Sequence, residues 1–117
     1  MAPIIVFAFN RPDSLQRAVE ALAANEEAKE SDLYVFVDGP RPHKEGEEAK
    51  VEAVREYAKN IKGFRSLTCS FAETNKGLAP SIISGVSQVI QQHGSAIVVE
   101  DDLVVSKSFL HPLDELN

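Results

Sequence analysis

With one cysteine, Cys69, the chain has no internal disulfide to form, so folding needs no oxidising compartment and a cytoplasmic location is expected. Cys69 falls within an expected strand and reads as a small buried apolar residue rather than a nucleophile. Basic residues are in deficit: 12 Lys and Arg stand against 18 Asp and Glu, a net charge of −6, with no basic cluster. A nucleic-acid duplex or an anionic membrane surface would be repelled, which removes nucleic acid from the expected partners. Long hydrophobic runs are missing as well. The longest, Ile4 to Phe9, falls far short of the roughly 20 residues that span a bilayer, and no basic stretch precedes it as in a signal peptide. No internal repeat and no low-complexity segment occurs. Glycine loops of the P-loop or G-x-G-x-x-G type follow none of the apolar runs. His43, His93 and His111 share no spacing that would make a zinc site.

What is present has ordinary globular proportions, 44% hydrophobic and 26% charged over 117 residues. Domains typically hold about 100–150 residues, so a single domain over 1–117 is expected. Ile4 to Phe9 is rich in β-branched and aromatic residues, as in a strand buried on both faces, and Asn10-Arg11-Pro12-Asp13 ends it. Pro12 suits the first turn of a helix, and Leu15, Ala18, Val19 and Leu22 continue at helical spacing to about Asn25. The same unit recurs twice. Leu33 to Val37 is a strand ended by Asp38-Gly39-Pro40 and followed by a helix carrying Val51, Val54, Ala58 and Ile61. Leu67 to Phe71 is a shorter, alternating strand, followed by Asn75-Lys76-Gly77 and a helix carrying Leu78, Ile82, Val86, Val89 and Ile90, with Gly94 as its stop. Ala96 to Val99 is a fourth strand running into Glu100-Asp101-Asp102, after which Ser106 and Ser108 are placed to cap a last short helix that Pro112 would disturb. Strand and helix in alternation predict an α/β fold, an open, mostly parallel sheet of about four strands flanked by helices. Ligands of such sheets bind beyond the carboxyl ends of the strands, near the point where strand order reverses.

Those ends are polar. Glu100-Asp101-Asp102 places clustered carboxylates against an apolar strand, where two unit charges about 4 Å apart repel by ~4 kcal/mol at an effective dielectric near 20. Protonation or a hard divalent cation such as magnesium or manganese would relieve this; alternatively two of the three point into water and cap the next turn. Asp38 is placed to accept from a base N–H or a ribose hydroxyl, with Gly39 letting a backbone approach or a positive φ, and Asp-Gly-Pro is equally a plain turn. The Arg11 guanidinium suits a phosphate or a planar base, or is an ordinary surface arginine. Asn75-Lys76-Gly77 precedes a helix whose first amides could face an anion, or simply caps it.

Taken in order, Ile4 to Pro12, Val37-Asp38-Gly39, Asn75-Lys76-Gly77-Leu78-Ala79 and Val98-Val99-Glu100-Asp101-Asp102-Leu103 resemble nucleotide-sugar glycosyltransferases of the GT-A fold. The resemblance is to the inverting N-acetylglucosaminyltransferase I group and to neighbouring bacterial family-two-like enzymes. It runs over the whole chain and corresponds to the N-terminal, donor-binding half of such an enzyme, a Rossmann-like unit. It implies that Glu100-Asp101-Asp102 is the DxD motif, holding Mn2+ or Mg2+ through Asp102 with Glu100 in support, and that Asp101 lies beside the ribose or sugar. It further implies that Asp38 contacts the uracil of a UDP-sugar, that Arg11, next to Asn10, lies near base and phosphate, and that Asn75 and Gly77 lie near the donor. A nucleoside diphosphate brings at least two negative charges to a site lined by carboxylates, which a bridging cation offsets. An inverting enzyme also needs a carboxylate base to take the acceptor proton. Of the 15 residues after Asp102, Asp114 and Glu115 carry carboxylates, and neither is assigned that role; an isolated donor-binding half would transfer sugar poorly. Apolar surface meant for a second half would favour self-association.

Two other classes of reading stand beside this one. A receiver-like signalling domain also gathers acidic residues around magnesium, but places an acidic pair after its first strand, where this chain has Asn10-Arg11, and a lysine after a fifth strand. A structural or interaction domain would use the strand-end residues only to cap and solubilise.

Overall fold

The computed structural model describes residues 2–100. In chain order these form β1 (Ile4–Ala8), α1 (Pro12–Ala23), a 3-10 helix (Glu26–Glu30), β2 (Asp32–Val37), α2 (Glu47–Lys59), β3 (Ser66–Phe71), α3 (Leu78–His93) and β4 (Ile97–Glu100). The four strands make one sheet in the order β3-β2-β1-β4, and every pairing is parallel. β1 lies inside the sheet and all five of its residues are buried, which is why its sequence is apolar without alternation. β3 is an edge strand and alternates between exposed and half-buried residues.

The helices divide unequally between the faces. α1 and α2 cover one face, where Leu15, Val19, Leu22, Val51, Val54 and Ala58 pack on Ile4, Val6, Leu33, Val35 and Val37. α3 covers the other, where Ile5, Phe7, Val89 and Ala96 form a smaller core with Ile82, Val86 and Ile90 against it. Gly85 brings α3 down on the sheet: a Cβ there would lie 2.9 Å from the Phe7 ring and 3.3 Å from the Phe36 ring. On this face Tyr34 and Phe36 of β2 are only half-buried, and Thr68 and Ser70 of β3 are exposed. Leu78 and Ile83 on the helix itself remain 59% and 68% exposed.

From β1 the chain steps outward to β2 and β3, then returns to place β4 on the opposite side of β1. Strand order therefore reverses between β1 and β4. This is the 3-2-1-4 order of dinucleotide-binding sheets, whereas flavodoxin-like receivers place their third strand beside the first. The receiver-like reading thus has the wrong neighbour for β1 as well as the wrong residues after it.

Differences from expectation are local. α1 ends at Ala23, and the Asn25 side-chain amide donates to the carbonyls of Ala21 and Leu22, closing the helix before a 3-10 turn that the polar string Glu26–Glu30 does not announce. β1 ends at Ala8, one residue before Phe9. Gly94 caps α3 in the left-handed region, as its position implies. The last short helix expected around Ser106 and Ser108 lies outside the described residues.

Candidate functional site

A cavity of about 540 Å³ opens at the carboxyl ends of β1, β2 and β3, bounded on its far side by α3. Asn10, Arg11, Asp38, Asn75 and Gly77, drawn from separate loops in the sequence, all line it. Asp101 and Asp102 lie outside the described residues. Of Glu100 the backbone is placed: it ends β4 directly opposite Phe7, so the chain leaves the sheet at its carboxyl edge, beside β1.

Asp38 is 9% exposed and sits one residue past β2, with its backbone N–H still bonded to the Ala8 carbonyl at 3.0 Å. Its Oδ1 accepts the N–H groups of Gly39 at 2.9 Å and Lys76 at 2.8 Å. Its Oδ2 accepts the N–H of Gly77 at 3.0 Å and the Asn75 Nδ2 group at 3.2 Å. Asn75 Nδ2 also donates to the Gly39 carbonyl at 3.0 Å. An ionised carboxylate has about four acceptor positions, and here the protein fills them all. Asp38 is thus a clasp that fastens the Asn75-Lys76-Gly77 loop to the end of β2. The base contact that the resemblance assigns to Asp38 would have to displace one of these donors.

Gly39 completes the clasp from the other side. A Cβ there would lie 2.5 Å from the Thr74 carbonyl carbon, so the backbones of the two loops cross with no room for a side chain. The approach that glycine permits is to another stretch of this chain. Gly77, with φ of 88°, then turns the loop into α3 as its N-cap, a conformation that favours glycine.

The pocket mouth carries cations. Arg11, the N-cap of α1, is exposed, and no described residue engages its guanidinium. Lys76 gives its backbone N–H to Asp38 and leaves its ammonium exposed and unpaired among the described residues. Two cations unpaired among the described residues line one cavity in a chain of net charge −6, and together they favour an anion there.

Arg41 also lines the cavity, but it is committed elsewhere. Its Nε and Nη2 donate to the two carboxylate oxygens of Glu47 at 3.0 and 2.7 Å, and its backbone N–H adds a bond of 2.8 Å. Asn10 Nδ2 donates to the same carboxylate at 3.2 Å, so Asn10 is held to the first turn of α2. The guanidinium lies 5.5 Å from the centre of the Phe9 ring. Neither Arg41 nor Glu47 stands out in the sequence, because the bond crosses a loop and follows no helical or strand period. The hydrogen bonds from Arg41 are the main cause that brings the Glu47 carboxyl from 4.5 down to about 2. At the opposite edge of the sheet, Arg65 and Ser66 hold the Asp32 carboxyl well below the usual carboxylate range.

Both carboxyls therefore titrate lower in the folded chain than in the unfolded one. Their contribution to stability is present above pH ~4.5 and is lost as pH falls toward ~2. Urea midpoints are expected to hold level from pH 7 to 5 and to drop steeply below 4.5, and Glu47→Gln is expected to flatten that drop. A midpoint unchanged down to pH 2.5 in the wild-type chain would count against the pairing.

Among the described residues, no group of three His, Cys, Asp or Glu side chains could hold a metal ion, so the cation ligands implied by the resemblance remain with 100–102. Also among them, no helix is long and apolar enough to cross a membrane.

No protein-family model and no curated protein matches the sequence. Among solved structures, the chain is similar to the crystal structure of S. aureus TarS, a glycosyltransferase, with a TM-score of 0.59 and 17% identity. The match covers 92% of this chain and 18% of the TarS chain. At that identity the likeness speaks for the fold alone.

Proposed function

We propose that the chain is the donor-binding unit of a glycosyltransferase. It takes a nucleoside diphosphate sugar, with UDP as the nucleotide, for transfer of the glycosyl group to an acceptor hydroxyl. The observation that carries this reading is the presence of two cations unpaired among the described residues, Arg11 and Lys76, at the cavity, together with an acidic triplet in the sequence that starts at Glu100, the last residue of β4, beside the strand-order reversal. A diphosphate taken up together with a divalent cation would satisfy both sets of charges, while a lone anion would satisfy the first and be repelled by the second.

In this reading Asp102 holds Mn2+ or Mg2+ with support from Glu100, and Asp101 lies beside the ribose or sugar. Such a cation neutralises charge on the departing diphosphate. Arg11 and Lys76 draw the diphosphate to the cavity mouth and orient it. Asp38, with Asn75 and Gly77, fixes the loop that carries Lys76. Asn10, tied to Glu47, holds the turn that carries Arg11. In transfer, the bond from the anomeric carbon to the β-phosphate oxygen breaks and a bond to the acceptor oxygen forms. The acceptor proton passes to a base that is not assigned to any residue of this chain.

Thermal unfolding with UDP tests the reading. A ligand at about 100 times its dissociation constant stabilises by ~2.7 kcal/mol, so the midpoint is expected to rise by several degrees with UDP and manganese together. The rise should shrink to about a degree or less when the metal is chelated. Equal midpoints under both conditions would remove the cation, and no response at all would remove the nucleotide.

A further inference from the structure

The cavity does not stop at the strand tips. It continues along the face of the sheet under α3, where Phe7, Phe36 and Ser70 line it from below. These are register partners: Phe7 of β1 pairs with Phe36 of β2, and Phe36 pairs with Ser70 of β3. They therefore form one row across the sheet, with side chains on the same face. The rings of Phe7 and Phe36 are stacked, their centres 5.4 Å apart and their planes 22° from parallel. That separation is close to the ~4.8 Å between neighbouring strands, so the stack runs along the row. The next place in the row belongs to Ser70, which is exposed and too small to cover the outer side of Phe36, itself only half-buried.

Above the row stands one stripe of α3: Ser81, Ser84 and Gln88, spaced three and four apart. Gly85, on the same stripe, lets the helix descend until a Cβ there would touch both rings. Among the described residues, none of the side chains of Ser70, Ser81, Ser84 or Gln88 is engaged by another group. Arg11, Arg41 and Lys76 belong to the loops that follow the strands, so the part of the cavity between the sheet face and α3 offers an aromatic surface edged by neutral hydroxyl and amide groups. That chemistry suits a flat, uncharged heterocycle that hydrogen-bonds along its rim.

We propose that the nucleobase of the donor slots in above Ser70 as the third ring of the Phe7–Phe36 row, with Ser81, Ser84 and Gln88 bonding its edge. This rests on the donor-binding reading and deepens it. It also frees Asp38 to remain a clasp, since the base is recognised elsewhere.

Ser70→Phe fills the slot with a residue suited to an edge strand and should leave thermal stability at or above that of the wild-type chain. Calorimetry with manganese present then compares UDP, GDP, dTDP and inorganic pyrophosphate. The wild-type chain is expected to bind at least one nucleoside diphosphate about tenfold or more tightly than pyrophosphate. Ser70→Phe should erase that advantage while leaving pyrophosphate within about twofold, and Gln88→Ala should reduce it several-fold. Amide resonances of Ser70, Ser84 and Gln88 in the wild-type chain should move with the nucleotide and not with pyrophosphate. Nucleotide binding unchanged in Ser70→Phe, or resonances that stay still, would overturn the slot while leaving the donor reading intact. A wild-type chain that binds neither nucleotide nor pyrophosphate would overturn both.

Discussion

Asp38→Ala is expected to lower stability by about 3 kcal/mol and the unfolding midpoint by roughly 10 °C. The substitution removes the common acceptor of the N–H groups of Gly39, Lys76 and Gly77 and of the Asn75 side-chain amide. Hydrogen bonds to a charged acceptor are worth roughly 1.5–3 kcal/mol each, and these share one loop, so their losses overlap rather than add. Water reaches the loop once it loosens, because Lys76 is exposed and Asn75 half-buried, which keeps the total near the worth of one or two such bonds and well below their sum. Asp38→Asn is the sharper variant. It nearly preserves volume but replaces one acceptor oxygen with an NH2 group that would face N–H donors, so it should resemble alanine and give no rescue. Affinity for nucleotide and for pyrophosphate should fall together in both variants, since what is lost is the placement of Lys76 rather than a contact to the base. A midpoint within about 2 °C of wild type, or a change in preference among bases, would return Asp38 to the ligand.

The fold was legible because its signal is redundant. Each strand is an apolar run stopped by a polar string, each helix repeats at helical spacing, and alternation alone implies parallel pairing. Strand order was not legible: nothing in Leu67 to Phe71 says that β3 lies outside β2 rather than beside β1, although its polar alternation does mark it as an edge. Where the apolar runs end was legible, and five of the residues singled out there share one cavity. Their mutual contacts were not legible. Asp38 and Asn75 are 37 residues apart and bond each other, so two motifs that resemble separate ligand contacts are parts of one clasp. Gly39 illustrates the same limit. A glycine after a strand permits close approach, but only the fold reveals that Thr74 is what approaches. The Phe7–Phe36–Ser70 row was hidden for a different reason, because it exists only in the register between three strands.

Asp102→Ala is expected to cost about 100-fold or more in UDP affinity with manganese present, and almost nothing once the metal is chelated. The argument is one of charge. In the donor-binding reading the carboxylates of 100–102, already counted in the net charge of −6, meet the diphosphate, so a diphosphate without a cation meets repulsion that Arg11 and Lys76 offset only in part. A dication between carboxylate and phosphate reverses the sign of that interaction. At an effective dielectric near 20, each opposed unit pair about 4 Å apart contributes ~4 kcal/mol before desolvation is charged against it. Removing one ligand therefore leaves a net loss of about 3 kcal/mol, which corresponds to the hundredfold. Asp13→Ala, in the exposed first turn of α1, is the matched control: it makes the same change in net charge and should leave manganese dependence within about twofold. Arg11→Ala should behave in the complementary way, weakening pyrophosphate both with and without metal. If Asp102→Ala retains the full manganese response, the ion is held by other groups and the triplet is only a solvated end to β4.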